Sequence, residues 1–485
     1  MADIDRREFA SILTAAGVLP GLGGSVSARE MTASRVVEAP PAVTRTLARY
    51  IVNAKPEDVP GAIVGEARRT LVNWVGCALG GARHETLDNA VAALHPFSGP
   101  PQATVLGRRE RMDALTASLM NGMSSHVLDF DDTHLKTVIH PAGPVAPAIL
   151  ALAEMQPVSG RDFLHALILG VEVECRIGNA VYPAHYDRGW HITGTAGVFG
   201  AAAACGKLLG LSEAQMVWAL GLAAAQPVGL REMFGSMTKS YHPGRAAQNG
   251  LTAAVLASKN FTSTDVALEG KSGWVHVLST EVKWDEITSR LGDRFELSLN
   301  TYKPFACGIV LHPTIDACLQ LRAAHKLTPN QIDRIDLAVH PLVLELTGKR
   351  TPQTGLEGKF SVYFAAAIAI VAGGAGPKQF SDALVGDPAV VALRDRVVAT
   401  VTPGISEAQV RAVITLKDGR RIEQHIEQVV GSVERPMSDA DLDRKFLDLA
   451  DGVLPLPQAR QLLDLCRTVD KLPRAGELAR AAAAA

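Results

Sequence analysis

The sequence predicts a mainly α protein, with a large all-helical domain followed by a smaller α+β domain. Three observations lead there. From Pro41 to about Lys259, apolar residues recur at helical spacing almost without a break. After Asn300, short runs alternate apolar and polar residues with period two. The chain has 485 residues, more than the ~250–300 at which a single hydrophobic core usually stops growing.

The first helix with a clear buried face runs from Ala62 to Leu79, where Ile63, Ala67, Leu71, Trp74, Val75 and Ala78 recur at i, i+3 and i+4. Further helices read at Asp113–Leu128, Pro144–Met155, Arg161–Val181, Thr193–Leu209, Glu213–Ala225 and Arg245–Ser258. Two of them carry capping-type starts, Ser159-Gly-Arg-Asp162 and Ser212-Glu-Ala-Gln215. Beyond Asn300, Arg334–His340 alternates as a strand, and Val410–Leu416 and Arg420–Ile426 flank Asp418-Gly419, a two-residue hairpin signal. Helices at Pro313–Ala324, Gly358–Val371 and Pro388–Thr400 lie among these strands, which predicts a small sheet covered by helices. Helices return at Asp439–Leu449 and Pro457–Val469, and the low-complexity tail Ala481–Ala485 is expected to fray. The expected organisation is a leader at 1–28, a helical domain at 40–299, an α+β domain at 300–432, and C-terminal helices at 433–475 that return to the helical domain. Linkers fall near 260–300 and 430–437.

Composition narrows the function. A formal net charge of −2 gives no basic field, so neither nucleic acid nor an anionic membrane is an expected partner. With 47% hydrophobic and 20% charged residues the chain is globular. Its six cysteines show no CxxC spacing, and several fall in apolar helical stretches where a thiol acts as a small hydrophobe, so neither disulfides nor a zinc site is inferred. At the N-terminus, Asp5-Arg6-Arg7-Glu8-Phe9, a weakly apolar run from Ala10 to Gly24 and Val26-Ser-Ala28 follow the order of a twin-arginine export signal cleaved after Ala28. This predicts a periplasmic protein. A cytoplasmic chain with a chance arginine pair is the alternative.

The densest polar cluster is Asp129-Phe-Asp131-Asp132-Thr133-His134, followed by His140-Pro141 before an apolar helix. Carboxylates and imidazoles packed this closely perturb one another's pKa values, as functional sites do. Asp and Thr are also ordinary turn and cap residues. Five of the fourteen histidines precede proline, where proline's ~5% usage predicts about 0.7. For His140, His242 and His312 the following residues read as helix, which would place each imidazole at the positive end of a helix dipole. Such an end favours neutral imidazole and binds carboxylates. Lys239 in Phe234-Gly-Ser-Met-Thr-Lys-Ser-Tyr-His242 and Lys303 in Thr301-Tyr-Lys-Pro-Phe305 occupy unusually apolar settings, as expected of cations that each hold a substrate carboxylate. His191 opens a Gly/Ala-rich helix, and Tyr363 lies on an otherwise apolar one. No dinucleotide-binding, Walker A, HExxH or GxSxG motif is found.

Read together, Asp129-Phe-Asp-Asp-Thr133 with His140-Pro141, Gly189-Trp-His191, Lys239-Ser-Tyr-His-Pro-Gly-Arg-Ala-Ala247, Tyr302-Lys-Pro-Phe305 with His312 and Ile315-Asp316, and Arg435-Pro-Met-Ser438 closely resemble the MmgE/PrpD family over roughly residues 40–470. That family includes 2-methylcitrate dehydratase, cis-aconitate decarboxylase and an iminodisuccinate epimerase. The resemblance implies a large helical domain with a smaller α+β lid, a homodimer, and an active site between the domains built around the stretch His126–His134. Position by position it points to Asp129, Thr133, His140, His191 and Tyr363 as catalytic residues and to Lys239 and Lys303, with His242, as substrate-binding ones. Where family members often carry a histidine or arginine shortly after the second lysine, this chain has Cys307-Gly308.

The expected activity is that of a cofactor-free, dehydratase-type lyase. It would act on a small di- or tricarboxylate, with His140 moving a proton at the carbon next to a carboxylate and Asp129 tuning it. Epimerisation or decarboxylation would use the same residues. Two readings from other classes are a metal-dependent hydrolase with Asp129, Asp132 and His134 as ligands, and an exported carboxylate-binding protein without catalysis.

Overall fold

The computed structural model describes Pro40 and residues 42–484. The expected leader at 1–28 lies outside the described residues. The helical array comprises Val43–Asn53, Gly61–Gly81, Glu85–Leu94, Ala114–Val127, Ala142–Met155, Gly160–Val181, Ile192–Leu208, Glu213–Ala224 and Thr238–Ser258. Ile192–Leu208 is the hub: every residue from Ile192 to Gly206 is buried, against Gly160–Val181 on one side and Thr238–Ser258 on the other. Small residues make this possible, because Thr238–Ser258 crosses Ala114–Val127 backbone to backbone. A Cβ on Gly122 would lie 2.5 Å from the Gly244 Cα, closer than two carbons can pack. Both expected caps form: the Ser159 Oγ accepts from the Asp162 amide at 3.1 Å, and Ser212 forms a reciprocal capping box with Gln215.

The α+β part contains a four-stranded sheet in the order Val397–Val401, Ile332–Val339, Val410–Leu416, Arg421–Ile426. The first pair is parallel, with Ile335 opposite Val397; the other two are antiparallel, with Ile335 opposite Ile414 and Ile414 opposite Ile422. His312–His325 packs on Val410–Leu416 and Arg421–Ile426, and Val362–Ala372 on Val397–Val401. A fold dominated by helices with a small covered sheet is what the periodicity predicts. The C-terminal helix Asp439–Ala450 packs back on Gly61–Gly81. Among the described residues, no helix is long and apolar enough to cross a membrane.

Three local expectations are corrected. The helix expected at Pro388–Thr400 stops at Arg394, and Val397–Val401 becomes a strand, because its β-branched run finds a parallel partner in Ile332–Val339. The helix expected to begin at Arg245 begins at Thr238, with Pro243 inside it, so His242 does not sit at a helix start. Ala481–Ala484 does not fray: the Gln458 side chain donates to the carbonyls of Ala481 and Ala483, and the Ala484 amide donates to Arg108.

Candidate active site

A two-strand ladder builds the site. Asp132–His134 pairs antiparallel with Asn300–Tyr302, Thr133 opposite Thr301, which carries Lys303 to the turn that follows Ala114–Val127. In that turn Asp129 adopts φ 51°, a left-handed conformation that a non-glycine residue takes only when its surroundings hold it there. Two buried lysines do so by gripping the neighbouring carbonyls. Lys359 Nζ donates to the carbonyls of Leu128 at 2.7 Å and Ala306 at 2.8 Å. Lys445 Nζ donates to those of Phe130 at 2.6 Å and Lys303 at 2.8 Å.

Three helix N-termini converge on this turn: His140-Pro141 leads into Ala142–Met155, His191 caps Ile192–Leu208, and Lys239 lies in the first turn of Thr238–Ser258. Their positive ends favour an anion between them. The Lys303 ammonium sits on Asp129 Oδ1 and lies 3.3 Å from the Asp129 carbonyl, while Lys239 Nζ is 3.2 Å from the same carboxylate oxygen. Burial pushes the Asp129 carboxyl up, but the two ammoniums outweigh it and hold it well below the usual range. Burial lowers Lys239, which Asp129 only partly offsets; burial also lowers Lys303, but Asp129 and Asp131 together outweigh it and raise it.

The imidazoles are oriented by hydrogen bonds. His140 Nδ1 lies 2.8 Å from the Asp132 carbonyl oxygen, so it carries the proton, and it is also 3.4 Å from Asp131 Oδ1. Its Nε2 is therefore the basic nitrogen. Burial drives His140 well below the ordinary histidine pKa, against the pull of Asp131, which keeps the ring neutral. His126 Nδ1 donates to Asp131 Oδ2 at 2.7 Å, leaving Nε2 to accept from Lys239 Nζ at 3.0 Å. Asp131 thus touches His140 and, through His126, reaches Lys239. His191 Nδ1 is 2.9 Å from His242 Nδ1, and burial lowers both rings, His242 to about 4.

A small cavity of about 50 Å³ lies over this floor, lined by Asp129, Thr133, His140, His191, Lys239 and Lys303. Six of the eight residues expected at the site therefore meet. The other two do not line the cavity. His242 stands one layer behind, against His191, and Tyr363 is buried with the Arg350 guanidinium 4.8 Å over its ring. His126 and Asp131, which are not among the eight expected site residues, are central to the network. Their signal was present: a histidine in the small-residue helix end Ser124-Ser125-His126-Val127, five positions before an aspartate, is costly to bury unless the two pair.

The expected metal ligands do not assemble. Asp132 Oδ2 accepts from the Ala142 amide at 3.2 Å and from Asn300 at 2.9 Å, with burial and Asp131 raising its pKa to about 7. His134 is held by Glu296 at 3.1 Å and Thr137 at 2.7 Å. Among the described residues, the triples close enough to share a cation are His126, His140, His191 and Asp129, Asp131, His140. The Lys239 and Lys303 ammoniums touch members of both sets, and these fixed positive charges oppose a dication.

A family model for the MmgE/PrpD N-terminal domain matches residues 45–287, and one for the MmgE/PrpD C-terminal domain matches 305–471. The chain belongs to the MmgE/PrpD family. Among curated members it is similar to a cis-aconitate decarboxylase-like protein of Aspergillus oryzae, 28% identical over 85% of this chain and 91% of the relative. It is also similar to the cis-aconitate decarboxylases of Aspergillus terreus, 27% identical over 89% and 94%, and of Homo sapiens, 26% identical over 89% and 92%. Lys303 lies in the gap between the two MmgE/PrpD matches; the first match supplies most of the cavity's floor and the second most of its roof.

Proposed function

We propose that this MmgE/PrpD protein is a cofactor-free lyase of the dehydratase type acting on a small carboxylate. The observation that carries the reading is a neutral His140 with its proton fixed on Nδ1, set in a cavity beside two lysines. Each ammonium has three donors. Among the described contacts, Lys303 spends two on Asp129, and Lys239 spends one on Asp129 and one on His126. One donor remains on each, matching the two oxygens of one carboxylate.

In the proposed reaction His140 Nε2 takes the proton from the carbon next to that carboxylate, and the electron pair moves toward the carboxylate under the two ammoniums. The bond from the adjacent carbon to its hydroxyl then breaks. The proton held on His140 leaves with the hydroxide as water, and a carbon–carbon double bond remains. His191, held neutral, hydrogen-bonds the hydroxyl rather than protonating it. About 50 Å³ holds only a few atoms, so the proposal includes a shift of the side chains between floor and roof when a substrate binds. The proposal also includes a homodimer and export through the twin-arginine leader, carried by the family resemblance and the N-terminal motif. Light scattering and cell fractionation test those two parts.

The deciding experiment incubates the enzyme with hydroxy- and unsaturated carboxylates in deuterated water and follows them by NMR. Deuterium next to a carboxylate together with new olefinic signals supports the dehydratase; deuterium with inversion and no olefin would place the protein among the isomerases. His140→Ala should slow turnover by about 10²–10⁴, and near-normal turnover would remove His140 from the role of base.

A further inference from the structure

The roof of the cavity has a chemistry that the floor does not share. Facing the lysines and histidines are Val138, Ile309, Val310, Leu342, Leu346 and Phe360. Gly308 also lines it, at the place where the resemblance leads one to expect a cation. Lys239 and Lys303 against Asp129, with the histidines neutral, give the lining a net charge of +1, enough for one carboxylate. A second carboxylate would find no further cation in the lining, only the Tyr186 and Thr347 hydroxyls among apolar side chains, and would be desolvated without a charge partner.

Val138, Ile309 and Val310 also line an adjoining cavity of about 240 Å³. Its other walls include Leu135, Pro313 and Val429, and its acidic groups are Glu407, Glu427 and Glu434. No lysine or arginine lines it. An alkyl chain can occupy such a space, whereas another anion is repelled by the glutamates.

We propose that the substrate is a carboxylate with one anionic head and an alkyl tail, the head on Lys239 and Lys303 and the tail passing Val138, Ile309 and Val310 toward the adjoining cavity. The inference rests on the lyase reading for which carbon reacts, but its binding test does not. It separates this protein's substrate class from the one named for its cis-aconitate decarboxylase relatives.

The test is calorimetric binding of unreactive straight-chain acids, from propanoate to octanoate, beside succinate, glutarate and tricarballylate. Affinity should rise about fourfold per added methylene, and each monocarboxylate should bind at least tenfold more tightly than the dicarboxylate of equal length. Gly308→Arg should reverse that order by supplying a cation to the roof. A Cβ there meets only ordinary contacts, 3.4 Å from Thr347 Cγ2 and 3.5 Å from the Lys359 carbonyl, so the substitution is compatible with folding. Tighter binding of glutarate or tricarballylate than of the matched monocarboxylates, or a flat chain-length series, would overturn the substrate class and leave the lyase reading standing. A rising series, with no deuterium exchange in any of the hydroxy- and unsaturated carboxylates, would uphold the substrate class and overturn the lyase.

Discussion

Replacing Asp131 by Asn removes one charge at nearly constant shape from the carboxylate that touches both His140 and His126. Asp131 is fully buried, with Oδ1 3.4 Å from His140 Nδ1 and Oδ2 2.7 Å from His126 Nδ1. A full charge pair at about 4 Å is worth ~4 kcal/mol at an effective dielectric constant near 20. His140 gains roughly half a positive charge as it takes the proton in the transition state, so about 2 kcal/mol of stabilisation is lost, or ~30-fold in kcat. The pH profile provides a second readout. A neighbouring anion favours imidazolium, so removing it lowers the already depressed pKa of His140 further, and the acid limb of kcat/KM should move to lower pH as the plateau falls. A residue that merely held the fold would lower the plateau without moving the limb in that direction. The assay is kcat and kcat/KM against pH on the best substrate found in the deuterium experiment, with circular dichroism to check folding. A kcat within about twofold of wild type, or an acid limb displaced upward, would refute the argument.

Removing the Lys303 charge as Met takes away a charge-assisted donor to the substrate and one of the two cations on Asp129, so KM should rise about 10–100-fold in steady-state kinetics. His191→Ala should slow turnover more than His242→Leu, because His242 acts only through its 2.9 Å contact with His191; comparison of the two kcat values checks this. Glu174 lies fully buried in the helical core, both carboxylate oxygens without a described partner, and burial together with Asp132 holds it protonated far above the usual range. A carboxyl whose folded pKa is raised loses stability as pH rises above its unfolded value, so wild type should weaken relative to Glu174→Gln from about pH 4.5 upward, by at most ~1.4 kcal/mol per pH unit. Urea unfolding at several pH values measures the slope, and parallel stabilities would show that Glu174 is ionised in the fold.

The parts of this protein that were legible in its sequence are those set by local periodicity. Gly61–Gly81 shows helical spacing at Ile63, Ala67 and Leu71, Gly160–Val181 has its Ser159 cap and a long apolar run, and the Asp418-Gly419 turn pairs the strands on either side of it, so none of these needed a distant partner to be recognised. Val397–Val401 was not legible because the same residues continue a helix in isolation and become a strand only beside Ile332–Val339, some sixty positions earlier. The start of Thr238–Ser258 was hidden by Pro243, which removes one ladder bond but is carried by the packing of the rest of the helix.

The candidate site divides along the same line. Residue types that are expensive in an apolar context, Lys239, Lys303 and His140, announced themselves, His191 came only through the resemblance, and all four line the cavity. What sequence spacing does not carry is the direction in which adjacent side chains point. Within Asp129–Asp132 three carboxylates alternate in role: Asp129 faces the lysines, Asp131 the two histidines, and Asp132 the amide of Ala142 with Asn300. That division follows from the left-handed turn at Asp129 and from the pairing of Asp132 with Tyr302, and the second of these depends on a strand 170 residues away. It also gives the three groups different protonation: Asp129 and Asp131 are held ionised by cations or imidazoles, whereas Asp132, facing amides and its own neighbour's charge, rises to about 7. One acidic run thereby supplies the carboxylate that the two lysines share, the carboxylate that contacts both His126 and His140, and, in the Asp132 carbonyl, the acceptor that fixes the tautomer of His140.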